Sequence, residues 1–276
     1  MSVNPELRSL DIAIPAQPDS LVKLSLLMAE DEVNLAAVSH LIESDMALAA
    51  AVLKAVNSSL YGLKGRVQSV QQAVTYLGMR EVAGITFEMG LRAAFPPAAE
   101  LEPLWQRAAE RGVWMGRLAQ RLDLDAWAAH SAGLFEECGK AVLFRHAPEH
   151  YRAMLRAANG DAELVTIEHA GFGVSHDALG AALCESWGLG AAAVASVRHH
   201  VTAQATLALP PEILRRSIVA VSAIVHVLIH QPEQLDDAVL RIAEGAELDT
   251  TLALRATRKI EAEYVAAHDR QRAEMV

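Results

Sequence analysis

Residues 134–140 read LFEECGK, in which two side chains of catalytic type, Glu136 and Glu137, stand together. Adjacent carboxylates offer hard oxygen ligands of the kind Mg²⁺ or Mn²⁺ takes. They do not suit an acid/base pair on one substrate, because neighbours on a helix diverge by about 100°. The structural alternative is a polar break at a helix C-terminus, with Gly139 as the turn. Histidine supplies a second group, in His176–Asp177 and His199–His200. Imidazole and carboxylate are what a metal-dependent hydrolase needs, since together they hold the ion and leave positions for water. Each pair also has a structural reading. Ser175 offers an N-cap to a helix starting at His176, where Asp177 complements the dipole. His199–His200 end a helix, where the dipole favours protonated imidazole. Cys138 and Cys184 form no CxxC pair and read as buried free thiols.

Helices must position these groups. The chain is 52% hydrophobic and only 5% aromatic. Alanine dominates the apolar count, which suits closely packed helices. Val and Ile recur at helical spacing, and no strand is expected. Helices are predicted at residues 35–43, 46–58 and 80–94, after a first one following Asp19–Ser20. Ser69-Val70-Gln71-Gln72 matches a capping box, with Gly78 as the stop of its helix. PPAAELE at residues 96–102 is the main internal boundary. Helices at about 103–122, 125–138, 140–146, 148–158, 161–170, 176–187 and 190–200 come next. Residues 202–210 form a second break, before helices at about 211–230, 235–244 and 250–268. Gly171-Phe172-Gly173 follows no strand and is no dinucleotide loop, and no GxSxG, Walker or kinase signature occurs.

The net charge of −10 argues against nucleic acid as the main partner. The densest basic cluster, Arg255, Arg258 and Lys259, is followed at once by Glu261 and Glu263. The N-terminal residues carry no basic and apolar regions of a signal peptide, and the apolar stretch at 218–229 is too short to span a bilayer. The expectation is a cytoplasmic protein with no membrane partner.

Eight motifs in order resemble the HDOD domain family, a branch of the HD phosphohydrolase superfamily. Ile14-Pro15-Ala16-Gln17-Pro18 resembles its LPxLP entry, and Ser44-Asp45-Met46-Ala47-Leu48-Ala49 its DPALA segment. Asn57-Ser58-Ser59-Leu60-Tyr61-Gly62 resembles its NSxxYG turn, and Ser69 to Gly78 its SIxxAIxxLG stretch. Leu104-Trp105 resembles the start of its central helix. Ala132 to Lys140 is similar to the AGLLHDIGK core of the wider superfamily. Glu168, Phe172-Gly173 and Ser175-His176, then Gly180, Trp187 and Gly188-Leu189, resemble its ExxxFGxDHxxxGxxLxxxWxLP stretch. Arg198-His199-His200 resembles the HH that follows.

The resemblance implies an all-α, two-lobed helical bundle. Residues 12–95 are the small N-terminal lobe and 100–201 the HD-like lobe, with 210–276 an extension packing on the latter. Residues 213–229, with Ile213, Leu214 and Ile218 among them, present the apolar surface for that packing or for a homodimer. The resemblance also says what Glu136–Glu137 replace: the His-Asp pair that binds metal in HD phosphohydrolases. The histidine expected three residues after Leu104 is Arg107. Arginine there repels a cation, and is expected to pair with Glu136 or Glu137 instead. The implied function is a non-catalytic bacterial signal-transduction module, with no metal and no cofactor. It would bind a signalling protein or a nucleotide-like small ligand at a cleft near Arg107, Glu136, Glu137, His176, His199 and His200. The alternative is a metal-dependent phosphohydrolase acting on nucleotides or cyclic dinucleotides, with His130 able to lend a ligand.

Overall fold

A computed structural model describes residues 12–28, 30, 32–58, 61, 63, 65–209 and 211–274. These residues are all-α, with no strand among them, in two compact units. The smaller unit holds α1 (Asp19–Met28), α2 (Leu35–Glu43), α3 (Met46–Val56), α4 (Val70–Leu77) and α5 (Met79–Ala93). Its motifs are local backbone devices. Asp45 caps α3 by accepting from Ala47 N and Leu48 N, both at 3.0 Å. The Asn57 amide donates to Leu53 O and Val67 O and accepts from Val67 N, closing the loop after α3. Ser59, Leu60 and Gly62 of that turn lie outside the described residues. Ser69 Oγ accepts from Gln72 N (3.1 Å), while the Gln72 side chain accepts from Gln68 N (2.8 Å), so the capping box closes one residue early. Gly78 ends α4 with φ +83°, a conformation that favours glycine.

The larger unit runs from Pro96 to Thr257 and includes the described residues up to Pro15. It contains α6 (Glu102–Arg121), α7 (Ala126–Phe135), α8 (Cys138–His146), α9 (Pro148–Ala157), α10 (Asp161–Phe172), α11 (His176–Ser186), α12 (Ala191–Thr206), α13 (Arg216–His230) and α14 (Leu235–Gly245). The last helix, α15 (Thr250–Glu274), counts with this unit up to Thr257 and with the smaller one from Arg258. The Trp187 indole donates to Pro15 O (2.9 Å), so the first and seventh motifs meet.

Small residues set the helix spacing. A Cβ on Gly133 would lie 2.7 Å from Gly112 N, so α6 and α7 touch backbone to backbone. Gly139 lies inside α8, not in a turn, and a Cβ there would fall 1.8 Å from His176 O. The break between α7 and α8 is Glu136–Glu137 itself.

Three expectations change. Helix α12 continues to Thr206, because Val201, Ala203 and Gln204 are buried, and packing outweighs the poor helix propensity of its threonines. His199 and His200 are therefore mid-helix and feel no C-terminal dipole. Helix α13 starts only at Arg216, and Leu214, expected on its apolar surface, is 98% exposed ahead of it. The Ser175 side chain does not cap α11: it donates to the Asp177 carboxylate, and Glu168 accepts the His176 N–H instead (2.8 Å). Cys138 and Cys184 are both buried free thiols. No single described helix is long and apolar enough to cross a membrane.

Candidate functional site

The two glutamates sit where α7 hands over to α8, and their carboxylates diverge into separate networks. Glu137, 5% exposed, faces Arg107 on α6 and Lys140 on α8. Arg107 Nη2 donates to Oε2 at 3.0 Å and Nε reaches Oε1 at 3.4 Å, a two-pronged contact. Lys140 Nζ donates to the same Oε2 at 3.2 Å and to Asp161 Oδ1 at 2.8 Å. Glu136, 1% exposed, lies 3.0 Å from Arg111 Nη1. It also accepts from Ser222 Oγ on α13 (2.6 Å) and Gln204 Nε2 on α12 (3.0 Å), and Gln204 bonds Ser222 in turn (3.0 Å). Arg107, Arg111 and Lys140 thus balance Glu136, Glu137 and Asp161. A buried carboxylate needs such partners, and here the protein supplies them all.

The histidines form the next layer. His176 Nδ1 donates to Glu168 Oε2 (2.8 Å), and Tyr151 Oη donates to the other oxygen of Glu168 (2.6 Å). His200 Nδ1 donates to Val197 O (2.7 Å). The two rings approach to 5.6 Å, and ligand atoms of Asp161, His176 and His200 all lie within 4.8 Å of one another.

Arg107, Glu136, Glu137, His176 and His200 thus belong to one connected region. His199 differs: it is part-exposed, and the charges that act on it are those of Arg198, Glu212 and Asp177. His130 stacks on Trp127, with centroids 6.3 Å apart. The expected cleft is filled by ion pairs, with Arg107 (43% exposed) and Asp161 (36%) at its rim. A separate surface hollow of about 480 Å³ is lined by Ile213, Arg215 and Ala246 among others.

Asp161, Glu168, Arg111, Gln204 and Ser222 were not among the expected site residues. Arg111 had a signal, since it stands four residues after Arg107 and so shares its helix face. Glu168 stood inside a quoted motif. Gln204 fell in the expected break, and nothing in sequence marks Asp161 or Ser222.

Two expected results follow from these contacts. Arg107→Ala should cost less than about 1 kcal/mol in a urea melt, because the arginine is half-exposed and Glu137 keeps Lys140. The second concerns acid. Burial pushes the Glu137 carboxyl up, but Lys140 and Arg107 outweigh it and hold it at about 2. An unfolded glutamate titrates near ~4.3. Its contribution is therefore complete above that pH and fades as pH falls toward 2. For His226, burial and then Arg111 lower the imidazole to about 3. An unfolded histidine takes its proton near ~6.5 while the folded one refuses it, so stability declines from there downward. Stability against pH should fall in two stages, starting below ~6.5 and again below ~4.3. His226→Gln should shrink the first, which the lowered imidazoles of His199, His200 and His230 share, and Glu137→Gln should shrink the second, which Asp161 shares. A profile level from neutrality to the onset of carboxylate titration would contradict the first stage.

Comparison with known proteins places this arrangement. The model of the HDOD domain family matches residues 14–203. The chain belongs to the HDOD domain family. An uncharacterized protein of Treponema pallidum (strain Nichols) is 27% identical over 194 residues, 68% of this chain and 37% of that protein. The chain thus matches little more than a third of that relative's length. Among solved structures, a Marinobacter aquaeolei VT8 protein named for signal transduction superposes with TM-score 0.69 at 21% identity, over 94% of this chain and 60% of that one. A Shewanella amazonensis SB2B protein named as a phosphohydrolase gives TM-score 0.68 at 19% identity, over 96% of both chains. An HDOD domain protein with unknown function from Geobacter sulfurreducens gives 0.67 at 20% identity, over 92% of this chain and 93% of that one. These likenesses establish the fold.

Within the HDOD framework the metal set of HD hydrolysis is incomplete. The positions that the resemblance assigns to metal ligands hold Arg107, Glu136 and Glu137, and these do not fit a metal: a guanidinium and an ammonium already hold Glu137, and Glu136 is bonded to Arg111, Gln204 and Ser222. The remaining cluster, Asp161, His176 and His200, lacks the pair.

Proposed function

We propose that this HDOD protein is a non-catalytic, cytoplasmic signal-transduction module of bacterial type. The surface around Arg107 and Asp161 engages a signalling protein or a nucleotide-like small ligand. The carrying observation is Glu137 clamped between Arg107 (3.0 Å) and Lys140 (3.2 Å). Internal cations stand where HD chemistry needs a Lewis acid in a fixed geometry. Arg107 and Asp161 are the exposed edge of that network, so an anionic group or a partner's charge can reach it by competing for Arg107.

The test is phosphodiesterase turnover of bis(p-nitrophenyl) phosphate and cyclic dinucleotides with Mn²⁺ and with Mg²⁺. No turnover above the metal-only blank is expected. Turnover that disappears in Glu137→Gln would sink this reading. It would restore the metal-dependent phosphohydrolase. A thermal shift by a nucleotide, lost in Arg107→Ala, would select the small-ligand form. No shift with any nucleotide would select the protein-partner form.

A further inference from the structure

We propose that two copies of this chain associate about a twofold axis through the loop that precedes α13, each placing its Leu214 in the surface hollow of the other. Leu214 is 98% exposed. A single exposed leucine is ordinary, but this one is held out from the surface. Ile213 before it is buried. Arg216 after it donates to Pro211 O (2.6 Å), Ile213 O (2.9 Å) and Gly245 O (3.3 Å), which ties the loop to the end of α14. The loop is thus ordered before any partner arrives, and burying the leucine costs little further entropy. Beside it lies the hollow of about 480 Å³, lined by apolar Ala192, Ile213 and Ala246 and by charged Arg215, Arg216 and Glu247. A knob and a hollow side by side on one surface complement themselves, because a twofold rotation brings each to the other.

Charge points to the same occupant. Arg215 is exposed and has no ion-pair partner among the described residues. The first turn of α13 holds Arg216 and no acid, so the positive end of the helix dipole is not offset there. Glu247 is the nearby carboxylate. It is 85% exposed, and its one ion-pair partner among the described residues is Arg216, at 3.8 Å. It stands just past the end of α14 at φ +59°, where glycine is usual. Backbone strain of this kind gathers where a side chain has a function. In the twofold dimer that function is to meet Arg215 of the second copy, and the contact occurs twice. None of these residues belongs to the Glu136 and Glu137 networks, so the association stands whether or not the signalling reading does.

The test is sedimentation velocity of the full chain from low micromolar to near-millimolar concentration. A patch this small gives a weak dimer, so the sedimentation coefficient should rise with concentration. Leu214→Ser should weaken association at least about tenfold. Its urea midpoint should not move, since the side chain packs on nothing in its own chain. Arg215→Glu and Glu247→Arg should each stay monomeric where the parent associates, because each brings like charges together at both contacts. Mixed in equal amounts, the two variants should form a heterodimer, because each then supplies the charge that the other lacks. No change confined to one chain gives that rescue. A parent protein that stays monomeric throughout would overturn the proposal. So would association that Leu214→Ser leaves unchanged, or a mixture of the two charge variants that stays monomeric.

Discussion

Glu136→Ala should destabilise the protein by about 3–5 kcal/mol, the usual cost of removing one member of a buried ion pair. Arg111 is 5% exposed and would be left facing the vacated space. Gln204 and Ser222 would lose their shared acceptor as well. The penalty belongs largely to the stranded arginine. Arg111→Met combined with Glu136→Ala should therefore recover much of the loss, since buried pairs replaced by apolar groups are often close to neutral. Urea denaturation of both single variants and the double variant closes the cycle. Losses that simply add would show that the two side chains are not coupled. The contrast with Arg107→Ala is part of the test, because that half-exposed arginine shares its carboxylate with Lys140.

Gly139→Ala should be the most damaging single methyl group in the larger unit. The added Cβ would lie 1.8 Å from the His176 carbonyl oxygen and 2.6 Å from its carbon. Both are backbone atoms at the start of α11, and neither can swing away. Overpacking costs about 1–3 kcal/mol where side chains can adjust, and more is expected where two helices must separate. Separation would carry Glu137 and Lys140, which flank Gly139, away from Asp161 and His176. Gly90→Ala is the control. Its Cβ would meet only side-chain atoms of Leu21, Cδ2 at 2.5 Å and Cγ at 2.7 Å, and a buried leucine can shift further than a helix backbone, so its loss should be smaller. Equal midpoints for the two variants in urea would refute this account of Gly139.

The helix inventory was largely legible in the sequence, because its signals are local. The Gly78 stop and the PPAAELE boundary lie at or near observed element ends. Errors came where packing overrode local preference. Threonine-containing α12 runs on into the expected break, as far as Thr206, because one face is buried against α13. Gly139 was read as a turn because a glycine beside two acids looks like a stop, whereas its purpose is contact with a carbonyl 37 positions further along the chain (139 to 176).

The site divides in the same way. Motif order established the family, the loss of the His-Asp pair and the arginine at 107, since each is a statement about residue type at a position. Only the tertiary structure decided what each carboxylate meets. Glu136 finds Gln204 and Ser222 at separations of 68 and 86 residues, and Lys140 finds Asp161 at 21. Such pairings leave no periodicity to read. They exist because α6, α8, α10, α12 and α13 bring buried charges together, and a charge removed from water takes whichever opposite charge or donor the packing puts within reach.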